Sequence, residues 1–155
     1  MTKHDWLLLG HLTGAFLFVS GAVVAAVLQL AAKGRRDTRE IAVLLDAIRG
    51  GVVLVGLGAV LVLGFGIWLA EETGVGLGES WVAAALVLFV ASAALGGVAG
   101  RFDRHTRELA RRLADEGVIE SAELQRRLRD PRAAALNGAS AALIVVILVL
   151  MVWKP

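Results

Sequence analysis

The 155 residues are 57% hydrophobic, contain no cysteine and carry a formal net charge of +2. A mean hydropathy of +0.73 lies far above that of a soluble domain. The absence of cysteine excludes disulfides, thiolate metal sites and thiol catalysis.

The first uncharged run extends from Trp6 to Ala32. At 1.5 Å per residue it can cross a hydrocarbon core of roughly 30 Å. A secretory signal would be shorter and would precede a soluble protein. Three more such runs follow, so the first is read as a retained helix, span one, at about 6–32. Gly10, Gly14, Leu17 and Gly21 recur along one face, flanked by Thr13 and Ser20, which lets a neighbouring backbone approach closely.

His11 sits beside this stripe, about one and a half turns inside the span. An imidazole there can ligate haem iron or a metal through one ring nitrogen. The alternative is a neutral ring hydrogen-bonded to a Ser, a Thr or a backbone carbonyl of another helix, and the residues alone favour it. His4, seven positions earlier on the same face, is wrongly spaced to clasp one haem from both sides with His11 and would suit a surface metal instead.

The next segment holds Lys33, Arg35, Arg36, Arg39 and Arg49 beside Asp37, Glu40 and Asp46. Asp37 followed three residues later by Glu40 has the spacing of a helix start, and Ile41, Leu44, Leu45 and Ile48 form a stripe behind it. Span two, about 41–70, therefore begins as a helix before it enters the membrane. Asp46 and Arg49, three apart, are expected to pair on its surface. Gly56, Gly58, Gly64 and Gly66 permit a kink or close packing. The loop that follows carries Glu71, Glu72 and Glu79 and no basic residue.

Span three, about 80–100, places Ser92, Gly96 and Gly100 at intervals of four. Its continuation, 101–130, is a helical segment with nine arginines and seven acids from Arg101 to Arg132. Phe102, Leu109 and Leu113 align on one side, and the helix is expected to stop near Gly117. A short helix follows Ser121, and Asp130 with Pro131 reads as the cap and first residue of span four, about 132–153. Ala134, Gly138 and Ala142 form a small-residue stripe there. All these stripes are expected to face other helices, in a bundle monomer or a homo-oligomer alike. Met151, at a depth similar to His11, is the nearby thioether that could serve as a second axial ligand. His105 belongs to the hairpin and shares a site with neither.

Fourteen of the sixteen basic residues fall in segments 33–49 and 101–132, the exceptions being Lys3 and Lys154. Basic residues are retained in the cytoplasm during insertion, so both segments are assigned to that side of the cell membrane and both termini to the outside. Trp6, Trp68, Trp81 and Trp153 then all fall at the outer interface, where indole prefers the headgroup zone. Interspersed acids leave the hairpin only mildly basic. Its arginines are thus read as topological signals and as contacts for anionic lipid headgroups, with no nucleic acid as partner.

No phosphate-binding loop, paired carboxylates or nucleophile with a histidine at matching depth can be placed, so no catalytic residue is assigned. Coupled ion transport needs an ionisable residue within the membrane, and within the four uncharged runs only His11 qualifies.

The opening from Trp6 to Gly21, with Leu9, His11, Leu12, Gly14 and Ser20, resembles the first span of a family of small four-span predicted integral membrane proteins of unknown function. The ending Leu150, Met151, Val152, Trp153, Lys154 and Pro155 is similar to that family's apolar-Lys-Pro terminus. The layout is more distantly similar to copper-resistance D type membrane proteins and to four-span protoporphyrinogen oxidases. In the oxidases a first-span histidine is implicated in haem binding, a role the resemblance would assign to His11, with haem b as cofactor. The polar and charged residues that accompany it in an oxidase are not matched, so no oxidase activity is implied.

The sequence therefore predicts an all-α fold: a polytopic membrane four-helix bundle forming one domain over 1–155, with a cytoplasmic helical hairpin between helices three and four. The expected function is that of a structural or interaction component of the membrane, the alternative being haem binding or haem handling through His11.

Overall fold

A computed structural model describes residues 2–76 and 78–153. Within them the chain forms α1 (Lys3–Lys33), α2 (Thr38–Glu72), α3 (Ser80–Asp115), α4 (Ala122–Leu128) and α5 (Pro131–Trp153), and no strand. Helices α1, α2, α3 and α5 include the four uncharged runs and are long and apolar enough to cross a membrane, as a polytopic helical bundle requires. Lys154 and Pro155, the end of the closing motif, lie outside the described residues.

The chain divides into two compact units. The first contains residues up to Leu28 and Ala47–Glu79. Here α1 and α2 run antiparallel through the expected glycine face. A Cβ added to Gly14 would meet the backbone nitrogen of Val62 at 2.7 Å, and one added to Gly21 would meet the carbonyl oxygen of Gly51 at 2.6 Å. Only glycine lets the two backbones come this close, and close van der Waals contact is the main source of helix association in lipid. On α2, Gly58 and Gly66 serve this contact, whereas Gly56 and Gly64 face open space. The helix continues without a break to Glu72. Lys3 forms an ion pair with Glu72 and lies 5.6 Å from the centre of the Trp68 ring.

The second unit contains Gln29–Asp46 and Ser80–Pro155. Asp37 caps α2, accepting the backbone N–H of Arg39 on Oδ1 at 2.8 Å, as its position predicts. Glu40 does not complete a capping box but pairs with Arg35 at 3.5 Å. Ile41 and Leu45 are buried. Helix α3 continues unbroken beyond its apolar run to Asp115, and Gly117 turns the chain at φ +75°. Ser121 caps α4, taking the Leu124 N–H at 3.3 Å, and Asp130 caps α5, taking the Arg132 N–H at 2.8 Å. Both caps were legible from the residue pattern.

The hairpin made by the end of α3 and by α4 is not exposed all round. Thr106, Ala110, Leu124 and Leu128 are buried. The α3–α4 connection is bonded to the start of α2: the Thr38 hydroxyl donates to the Val118 carbonyl, and the Thr38 N–H donates to Ile119 at 3.0 Å. Thr38 is wholly buried, so these bonds satisfy polar groups that water does not reach.

Two expectations require correction. Asp46 does not pair with Arg49. It is held by Arg111 of α3, whose Nε donates to Oδ2 at 2.9 Å, with a second ion-pair contact from the same guanidinium to Oδ1 at 2.8 Å. Arg107 lies 3.9 Å away. The guanidinium arriving from another helix thus supplies one hydrogen bond and one close charge contact, while Oδ1 accepts no hydrogen bond. The Ala134, Gly138 and Ala142 stripe of α5 is exposed and faces no helix of its own unit. Helix α5 instead meets α3 through Ser140, whose Oγ lies 3.0 Å from Ser92 Oγ and donates to the Ser92 carbonyl at 3.1 Å. Interhelical hydrogen bonding, not the smallest side chains, selects this face.

Candidate functional site

His11 is half-buried on α1 against α2. Its ring rests on Gly66, where a Cβ would come within 3.0 Å of Nδ1 and Cε1. Nδ1 lies 3.1 Å from the Val62 carbonyl oxygen. A carbonyl only accepts, so Nδ1 carries the hydrogen and donates it. In the neutral ring Nε2 then holds the lone pair. This satisfies the structural role foreseen for a histidine at this position. It also matches the way ligating histidines are oriented, with one ring nitrogen tied to a carbonyl and the other available to a metal. His4 is exposed near the start of α1. Met151 is half-buried in the last turn of α5, in the other compact unit. His105 is exposed and lies 3.7 Å from Glu108. Among the described residues no group of three or more His, Cys, Asp or Glu is placed to hold a metal ion.

The second unit contains a polar cluster that sequence reasoning passed over. Gln29 near the end of α1 donates from Nε2 to Asp103 Oδ1 at 2.8 Å, and accepts on Oε1 from Asn137 Nδ2 of α5 at 3.3 Å. One amide thus links three helices. Burial pushes the Asp103 carboxyl above its ordinary range, outweighing its hydrogen bonds with Asn137 and Gln29 and the nearby charges of Lys33 and Arg107. A cavity of about 380 Å³ opens beside it, lined by Gln29, Lys33, Phe102, Asp103, Arg127 and Asp130 among others. The available signal was an amide in each of two otherwise apolar spans, next to the acid nearest the end of a third. That signal becomes a site only once the three helices are known to pack together.

On the other side of Lys33 lies an open groove of about 1000 Å³ between the end of α1 and α4. Lys33, Arg35, Arg36, Arg126 and Arg129 line it, with Glu120 as its one acid. Gln125 of α4 also lines it and donates to the Arg35 carbonyl at 2.7 Å.

The family described as Predicted integral membrane protein (DUF2269) matches residues 6–155, and the chain belongs to it. No curated protein and no solved structure is similar enough to match.

Proposed function

We propose that this member of the DUF2269 family is a multi-pass protein of the cell membrane acting as a structural or interaction component. The observation that carries this reading is the α1–α2 seam. Its glycines are used for backbone contact, with Gly21 and Gly51 facing each other so closely that a Cβ on either would strike the other's carbonyl oxygen. The interior of the first unit is thus given to helix association. In the proposed orientation segments 33–49 and 101–132 are cytoplasmic and both termini are outside. Fourteen basic residues in those two segments support it. Their arginines contact anionic lipid headgroups.

A second reading, a haem-binding or haem-handling protein, has one observation in its favour. The Nδ1–H bond from His11 to Val62 fixes the ring and leaves Nε2 as the ligand atom. His11 fits the donor chemistry of a haem axial ligand. Bound haem b would supply one-electron redox chemistry. The chain itself would hold and orient the imidazole through Val62 and Gly66.

One measurement separates the two readings. The protein is produced with haem supplementation, purified in mild detergent and scanned for absorption. A colourless preparation supports the structural reading. A Soret band that is lost in His11→Ala establishes haem binding and displaces it.

A further inference from the structure

The groove between the end of α1 and α4 concentrates charge in a way that a general basic surface does not. Five cations face one carboxylate, and they come from two separate elements. Lys33, Arg35 and Arg36 belong to the end of α1 and the turn after it, while Arg126 lies on α4 and Arg129 caps its C-terminal end. Among the described residues Arg35 is the one groove cation with a carboxylate within ion-pair distance, Glu40 at 3.5 Å. The Gln125–Arg35 bond and the two bonds from Thr38 to the α3–α4 connection hold the two sides together. A preformed concavity with like charge on both walls focuses field and selects an anion with charge at two points.

The position of the groove indicates where that anion comes from. Lys33 directly follows the uncharged run of span one, so the groove starts at the level where phospholipid headgroups lie. Leu30 precedes Lys33 by three residues, shares its helix face and is 67% exposed. Apolar surface for an acyl chain therefore adjoins the cationic wall.

We propose that this groove is a stoichiometric binding site for the headgroup of a phospholipid bearing two phosphates. One phosphate is held by Lys33, Arg35 and Arg36 and the other by Arg126 and Arg129, with the acyl chains along the apolar surface beginning at Leu30. The proposal rests on the reading that the basic segments contact anionic lipid, and sharpens it from a diffuse attraction to one site and one headgroup class.

The test is native mass spectrometry of the full chain in neutral detergent, titrated with tetraoleoyl cardiolipin or with dioleoyl phosphatidylglycerol at matched charge. One cardiolipin is expected to remain bound, with an affinity about tenfold or more above phosphatidylglycerol. The double variant Arg126→Gln/Arg129→Gln is expected to abolish that preference. Arg104→Gln/Arg112→Gln, whose arginines do not line the groove, is expected to retain it, and Arg126→Lys/Arg129→Lys to keep most of it. Equal binding of the two lipids, or equal losses in both glutamine variants, overturns the site and leaves the diffuse contact standing. Binding of neither lipid overturns both. Binding of inorganic pyrophosphate as tight as that of cardiolipin overturns the lipid source, because the acyl chains would then contribute nothing.

Discussion

His11 on α1 donates a hydrogen bond from Nδ1 to the carbonyl oxygen of Val62 on α2 at 3.1 Å, and the ring lies over a glycine. The bond determines which nitrogen carries the proton, so the tautomer is a measurable consequence of helix packing. In ¹⁵N-labelled protein the neutral His11 ring is expected to be the Nδ1–H form, and an Nε2–H signal would contradict the contact. Gly66→Ala, which pushes a methyl against the ring, is expected to weaken the bond and lower stability by about 1 kcal/mol.

Glycines that look equivalent in sequence should behave differently on substitution. Gly21→Ala places a Cβ 2.6 Å from a backbone oxygen that has no room to move, and is expected to cost about 1–3 kcal/mol. Gly56→Ala meets nothing within 4 Å and should be neutral or gain up to about 1 kcal/mol from helix propensity. Thermal unfolding in detergent compares them, and similar melting temperatures would show that the seam is looser than described.

The grip of Arg111 on Asp46 replaces the local pair read from the sequence. A double-mutant cycle on Asp46→Asn and Arg111→Gln is expected to give a coupling of about 0.5–1 kcal/mol, modest because both side chains are partly exposed. The same cycle with Arg49→Gln should give none. A larger coupling to Arg49 would restore the local pair.

Asp103 makes stability depend on pH in a stated direction. Its carboxyl is raised in the folded chain, so the folded state holds its proton to higher pH than the unfolded state does. Its ionisation therefore lowers stability as pH rises from the ordinary carboxylate value of 3.8 through the raised folded value. Below 3.8 the penalty is absent, and above the folded value it is complete. Asp103→Asn should remove this fall, and an unchanged pH profile in the variant would exclude Asp103 as its source.

Orientation is open to direct labelling. Single cysteines at Gly76 and Glu116 are expected to react with an impermeant maleimide in intact cells and only after permeabilisation, respectively. The reverse pattern would invert the proposed topology.

Much of the fold could be read from residue order because its determinants are local. Uncharged runs marked four helices, Asp37, Ser121 and Asp130 marked three starts, and Gly117 marked a stop. The glycines of α1 pointed correctly to a helix contact. What stayed hidden was non-local. A residue three positions away is the only partner for Asp46 that periodicity can propose, whereas Arg111 comes from a helix sixty-five positions on. Within its own unit α5 does not use the small stripe, because Ser140 and Asn137, pointing elsewhere, found partners on α3 and α1. The Gln29, Asp103 and Asn137 cluster draws one residue from each of three helices, so no window along the chain contains it.

The 36 residues of α3 from Ser80 to Asp115 make a rod of roughly 54 Å, nearly twice the thickness of a hydrocarbon core. Ser92, Asp103 and Arg111 are mounted on it with no hinge between them. Sliding or rolling this shaft by a fraction of a turn would strain the serine pair, the amide-carboxylate cluster and the Asp46 grip together. The three contacts thus share one rigid mount, and none of them can be repositioned along the helix axis without the other two.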